Sequence, residues 1–210
     1  MENLKNNDYK IKVIFDLLGV ITVEGFFATK IVYPLVQNKI SYDLFKKKYL
    51  MYSVGMITED EFWDYIATTD QIDFIEKQIL DKTEITPKIQ EVFHKLSKRD
   101  CDLYLATEIP RKWGEFILEK AKLQNYFQNK FYSSDLKTTK PFKKFYDNIF
   151  NSISTKKSVV YCIDDTPINL TVAALYGAMT IYLTNTEVVN NDAHYEITNI
   201  CDLVKIICKE

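Results

Sequence analysis

Four places in this 210-residue chain carry groups that would do chemistry if they met: Asp16, Thr107, Lys140 and the pair Asp164-Asp165. Asp16, Thr107 and Asp164-Asp165 each close a short apolar run. A run of that kind that stops abruptly is the pattern of a buried strand in a parallel sheet. Open α/β sheets bind ligands in the crevice at the carboxyl ends of their strands, so groups at strand ends can share one site. Lys140 reaches that edge from a polar loop after a short strand. Two or three carboxylates a few ångströms apart repel each other and require a cation. Hard oxygen donors without imidazole or thiolate favour Mg²⁺. A lysine and a hydroxyl beside such an ion suit a phosphate. A carboxylate held against a metal-bound phosphate can attack phosphorus and form an aspartyl phosphate. Each residue also has a bland explanation: Asp16 as a turn-former, Lys140 as a solvated charge, Asp164-Asp165 as a turn and a helix cap.

The elements that must position these groups are legible in the periodicity. Strands are expected near 13–15 and over 101–106, 130–132, 158–163 and 179–183. Gly19 allows a sharp turn after the first of them. Residues 26–38 are apolar and interrupted by Pro34, which predicts a broken or kinked helix. Helices are expected over 42–52, stopped by Gly55, and from Thr58-Glu59-Asp60-Glu61, which reads as a capping box with Phe62, Tyr65 and Ile66 on the apolar face. Asp70 is expected to cap another helix to about residue 80. Thr86-Pro87 predicts a helix to about 98, with threonine as the cap and Ile89, Val92, Phe93 and Leu96 inward. Further helices are expected over 111–123, 142–150, 167–176 and 199–209, with a polar loop over 184–194. His94 reads as a surface or half-buried histidine. From residue 88 onward strand and helix alternate. The fold class is therefore α/β, a Rossmann-like parallel sheet covered by helices on both faces, with an inserted all-helical cap subdomain. The core is expected over 1–21 and 84–210 and the helical block over 22–83, joined near 21–25 and 81–86.

Composition limits the partners. The chain is 47% hydrophobic and 27% charged, with 27 basic and 29 acidic residues and a net charge of −2. That balance supports neither a nucleic-acid nor a membrane partner. Four cysteines, at 101, 162, 201 and 208, form no C-x-x-C pair, so buried free thiols in a reducing compartment are expected rather than disulfides or metal sites. Residues 1–10 are polar, without the apolar core of a leader peptide, and no run has the roughly 18–20 apolar residues of a membrane span. A cytoplasmic protein is expected, as monomer or homodimer.

The chain resembles the haloacid dehalogenase-like (HAD) hydrolase superfamily, in its phosphatase-like members with a helical C1-type cap. Four motifs occur in the family's order: Ile14-Phe15-Asp16-Leu17-Leu18-Gly19-Val20, Leu105-Ala106-Thr107, Lys140-Pro141 and Ile163-Asp164-Asp165-Thr166-Pro167-Ile168-Asn169. Residues 55–63 are similar to a cap segment. The resemblance implies Mg²⁺-dependent phosphoryl chemistry beneath a helical lid. Asp16 would be the nucleophile, Thr107 would bind the phosphoryl group, and Lys140 would neutralise it and hold Asp16. Asp16, Asp164, Asp165 and the main-chain carbonyl of Leu18 would hold Mg²⁺. Asn169 would orient the last loop.

One departure matters. Family phosphatases carry a second aspartate two residues after the nucleophile, and here that residue is Leu18. The missing carboxyl protonates the leaving group and then activates water, a role typically worth ~10²–10⁴-fold. Glu108, beside Thr107 in the substrate-binding region, and Glu24 are the candidate replacements. Three readings follow: a phosphatase on a small phosphomonoester, slowed by Leu18; a carbon–halogen hydrolase; or a non-catalytic member that binds phosphate or a protein.

Overall fold

The computed structural model describes residues 9–184 and 192–208. Six parallel strands form one sheet in the order β3-β2-β1-β4-β5-β6. They are β1 Lys10–Phe15, β2 Asp102–Thr107, β3 Phe127–Tyr132, β4 Ser158–Asp164, β5 Met179–Leu183 and β6 Tyr195–Ile197. The most apolar runs lie centrally: Phe15 of β1 pairs with Leu105 of β2 on one side and Ile163 of β4 on the other. This register brings the ends of β1, β2 and β4 to one edge. The strand order reverses at β1, where an open α/β sheet leaves its crevice.

Alternation across the pleat divides the core in two. Val13, Phe15, Leu103, Leu105 and Ile163 face one layer, packed by α5 Ile89–Lys98, α6 Arg111–Lys120 and α10 Asp202–Cys208. Ile14, Tyr104, Ala106 and Cys162 face the other, packed by α8 Lys143–Ser152 and α9 Pro167–Ala174. Helices cover both faces as expected.

Between β1 and β2 the chain is helical: a π-helical turn Ala28–Val32, then α1 Tyr33–Val36, α2 Tyr42–Ser53, α3 Glu59–Trp63 and α4 Thr69–Lys82. Pro34 stands in the first turn of α1, where its missing N–H is tolerated. The capping box of α3 forms in full: Glu61 N–H donates to Thr58 Oγ1 at 3.2 Å, and Thr58 N–H donates to Glu61 Oε2 at 2.7 Å. Where the insertion leaves and rejoins the sheet, Thr22 pairs with Ile85 in an antiparallel bridge, flanked by Val23 N–H to Glu84 O at 3.0 Å and Thr86 N–H to Ile21 O at 2.9 Å.

Several local expectations need correction. Tyr65 lies beyond the short α3 and is exposed, while Trp63 is buried in its place. Thr68, not Asp70, stands at the N-cap of α4, and Asp70 falls in the first turn. Thr86 does not cap α5. Its hydroxyl donates to Val20 O at 2.8 Å, and the helix begins at Ile89 after Lys88, which has a left-handed φ of 63°. Two elements had no periodic signal: α7 Ser133–Leu136 and the three-residue β6. The loop expected over 184–194 falls mostly outside the described residues. His94 is exposed.

Candidate active site

The first motif places Asp16 directly after β1, and its N–H donates to Ile163 O of β4 at 2.9 Å, so the sheet ladder runs up to this carboxylate. The turn that follows is closed by Leu17 O, which accepts from the N–H groups of Ile21 and Thr22, both at 2.9 Å. Gly19 adopts φ +75°, a conformation that favours glycine. Leu17 N–H donates to Asp16 Oδ1 at 2.7 Å and orients that carboxylate.

Lys140 brings the strand ends together. Its Nζ lies 3.0 Å from Asp16 Oδ1 and 2.7 Å from Asp164 Oδ2. The other oxygen of Asp164 accepts from Thr166 N–H and from Asn169 Nδ2, both at 2.9 Å. The carboxylate oxygens of Asp16, Asp164 and Asp165 lie within 4.8 Å of one another. When ionised, these three carboxylates and one ammonium sum to −3 + 1 = −2. At an effective dielectric of about 20, two like charges ~4 Å apart repel by roughly 4 kcal/mol. One divalent cation would cancel the excess.

The ionisation equilibria register that crowding. Burial pushes the Asp16 carboxyl well up; Lys140 opposes this, while Asp164, Asp165 and Glu108 reinforce it. Burial works against the Lys140 charge, but Asp16, Asp164 and Glu108 outweigh it and raise its pKa well above the lysine range. Burial and Asp164 push Asp165 up to about 6, against Lys140. A metal ion at these oxygens would reverse the carboxylate shifts.

Two further features fit a metal-bound phosphate. The Thr107 hydroxyl is fully buried and, among the described residues, without a hydrogen-bond partner. Buried hydroxyls are nearly always satisfied, so this one awaits an acceptor. Asp165 Oδ2 rests in a notch between Gly19 and Gly25; a Cβ on either would come within 1.9 or 2.3 Å of it. The residues present therefore fit an Mg²⁺ ion.

A cavity of about 600 Å³ opens onto this cluster. Asp16, Leu18, Thr107, Glu108 and Asp165 line it from the sheet edge, and Val23, Glu24, Gly25, Phe26 and Lys30 from the start of the insertion. Lys140 and Asp164 lie behind the wall, each nearly inaccessible. Glu24 and Glu108, the candidate replacements for the acid missing at Leu18, both line the cavity. Glu24 Oε1 accepts from Phe26 N–H at 2.8 Å, and its other oxygen lies 3.4 Å from Lys30 Nζ. Glu108 accepts the Thr139 hydroxyl. Burial raises its pKa, against Lys140 and that hydrogen bond.

The sequence alone did not point to Gly25, Thr139, Phe26, Lys30 or Tyr146. Tyr146 donates its hydroxyl to Asn169 O at 2.9 Å and braces the last motif. None of these five belongs to a motif, and Tyr146 reads as an ordinary apolar-face residue of α8.

The sequence model of the haloacid dehalogenase-like hydrolases matches residues 13–182, and the chain belongs to that family. Among curated proteins no sequence matches. Solved structures share the fold at low identity. The HAD-hydrolase YfnB from Bacillus subtilis, bound to magnesium, superposes with a TM-score of 0.66 at 17% identity, covering 95% of this chain and 99% of that one. A HAD phosphatase from Thermococcus onnurineus gives 0.68 at 18%, covering 93% and 96%. The L-2-haloacid dehalogenase from Xanthobacter autotrophicus gives 0.65 at 10%, covering 94% and 98%.

Proposed function

We propose that this hydrolase is an Mg²⁺-dependent phosphatase acting on a small phosphorylated metabolite through an aspartyl phosphate on Asp16. The observation that carries the reading is the buried cluster of Asp16, Asp164 and Asp165 clamped by Lys140. A carbon–halogen hydrolase needs no metal and leaves that excess of carboxylates without a purpose. The residues that would hold Mg²⁺ are Asp16, Asp164, Asp165 and the main-chain carbonyl of Leu18, and the ion would supply neutralising charge on the phosphoryl oxygens.

The rest falls to the chain itself. Asp16, oriented by Leu17 N–H, attacks phosphorus. The Thr107 hydroxyl, without a partner among the described residues, donates to a phosphoryl oxygen. Lys140 holds Asp16 and Asp164 in register from behind. Residues 22–83 act as a cap over a core of 1–21 and 84–210, and the cap contributes Glu24, Phe26 and Lys30 to the cavity wall. A closed cap excludes water from the reacting centre.

The test is hydrolysis of an activated aryl phosphate with and without Mg²⁺, by the parent and by Asp16→Asn. A phenolate leaves with little protonation, so this substrate depends least on the missing acid. Metal-dependent release that vanishes in Asp16→Asn supports the reading. Release of halide from a 2-haloacid without metal, with no phosphate release, replaces it with the dehalogenase.

A further inference from the structure

We propose that this site prefers acyl phosphates, the mixed anhydrides of a carboxylic acid with phosphoric acid, over phosphate esters of alcohols. The inference rests on the phosphoryl-transfer reading above and names its substrate class. Among the described residues lining the cavity, the carboxyl groups are Asp16, Glu24, Glu108 and Asp165. Asp16 and Asp165 belong to the charge cluster. Glu24 accepts from Phe26 N–H with one oxygen and faces Lys30 with the other, and one oxygen of Glu108 accepts the Thr139 hydroxyl. Leu18 presents only an apolar side chain to the same space.

That wall suits a leaving group that departs without a proton. An alkoxide forms badly unless an acid protonates it, a contribution of ~10²–10⁴-fold. A carboxylic acid ionises near pH 4, so a carboxylate leaves as a stable anion. In the first step the Asp16 carboxylate forms a bond to phosphorus while the bond from phosphorus to the acyl oxygen breaks. The electron pair leaves with the substrate carboxylate, and no proton moves. One acyl phosphate is exchanged for another, so the step is close to balanced. In the second step water attacks phosphorus, the Asp16 carboxylate leaves, and the protons of the water end on inorganic phosphate.

The experiment compares kcat/KM with Mg²⁺ for acetyl phosphate, a graded series of aryl phosphates and glycerol phosphate, with Asp16→Asn as the blank. The expected result is a steep fall as the leaving group becomes more basic, with acetyl phosphate ahead of glycerol phosphate by at least about thirtyfold. Leu18→Asp should narrow that ratio by about tenfold or more; if that variant does not fold, the parent series decides alone. A smaller ratio in the parent overturns the inference while leaving the phosphatase reading intact. Loss of glycerol phosphate turnover in Glu108→Gln would then identify Glu108 as the acid. Absence of Mg²⁺- and Asp16-dependent release from every phosphate overturns the phosphatase reading, and this inference with it.

Discussion

Two buried regions of this molecule work in opposite ways. At the strand ends, Asp16, Asp164 and Lys140 are charged and almost inaccessible, and their carboxylates repel. Trp113 of α6 is equally buried, but its neighbours are rings. It packs against Phe27 at 5.9 Å, Tyr52 at 5.6 Å, Phe62 at 5.9 Å and Trp63 at 6.1 Å, mostly edge-on. Four of these five rings come from the insertion, so Trp113 is the post on which the insertion rests. Burying a large apolar side chain stabilises by about 1.5–3 kcal/mol, and aromatic pairs add roughly 0.5–1.5 kcal/mol. Buried like charges cost stability unless paired. The aromatic wall holds the fold together, whereas the charge cluster depends on Lys140 to offset its repulsion.

That contrast can be broken by substitution. Asp16→Asn should lower Mg²⁺-dependent turnover by at least about a thousandfold while leaving the melting temperature unchanged or higher, since it removes one of three crowded carboxylates. A clear drop in melting temperature would place Asp16 among the stabilising groups and erase the distinction. Trp113→Ala should do the reverse in kind: urea denaturation should show a loss of about 3–5 kcal/mol, with the aromatic near-ultraviolet signal weakened.

A finer pair sharpens the comparison within the aromatic wall. Trp113 Nε1 donates to the buried Glu76 at 3.0 Å, whereas Trp63 Nε1 has no partner among the described residues. Glu76 is held besides by Lys112 at 2.8 Å. Trp113→Phe removes a donor from a buried carboxylate and should cost about 1–3 kcal/mol. Trp63→Phe removes an unused N–H and should cost less. Equal losses would mean that ring size, not the hydrogen bond, decides.

The smallest effect is a shift of melting temperature with pH. Burial raises Asp16, and burial with Asp164 brings Asp165 to about 6. A carboxyl whose folded pKa exceeds its unfolded value contributes its full stability below the unfolded pKa, near 4, and loses it as pH rises through the folded one. Without Mg²⁺ Asp165 therefore weakens the fold across about pH 4–6, and Asp16 acts in the same direction. Mg²⁺ held as proposed would require the deprotonated carboxylates, so its gain in melting temperature should be larger at about pH 7 than at about pH 5. Equal gains at both would separate metal binding from this cluster.

Five of the six strands, and the polar groups that close three of them, are legible in the sequence, because apolar runs and the residues that stop them are local patterns. Val13-Ile14-Phe15 before Asp16, and the run before Asp164, encode burial and its termination within a few residues. The capping box at Thr58 was legible for the same reason, since both of its hydrogen bonds span three residues. Features that depend on distant contacts were not legible. The β6 strand is three residues long and acquires its identity only by pairing with β5. Thr86 carries a cap signature, but the sheet-edge turn offers Val20 O and takes its hydroxyl. That Gly25 meets Asp165, that Thr139 holds Glu108, and that Phe26 and Lys30 line the cavity are consequences of folding alone. Each is a meeting of segments from different parts of the chain, and spacing within one segment carries no record of what another segment brings against it.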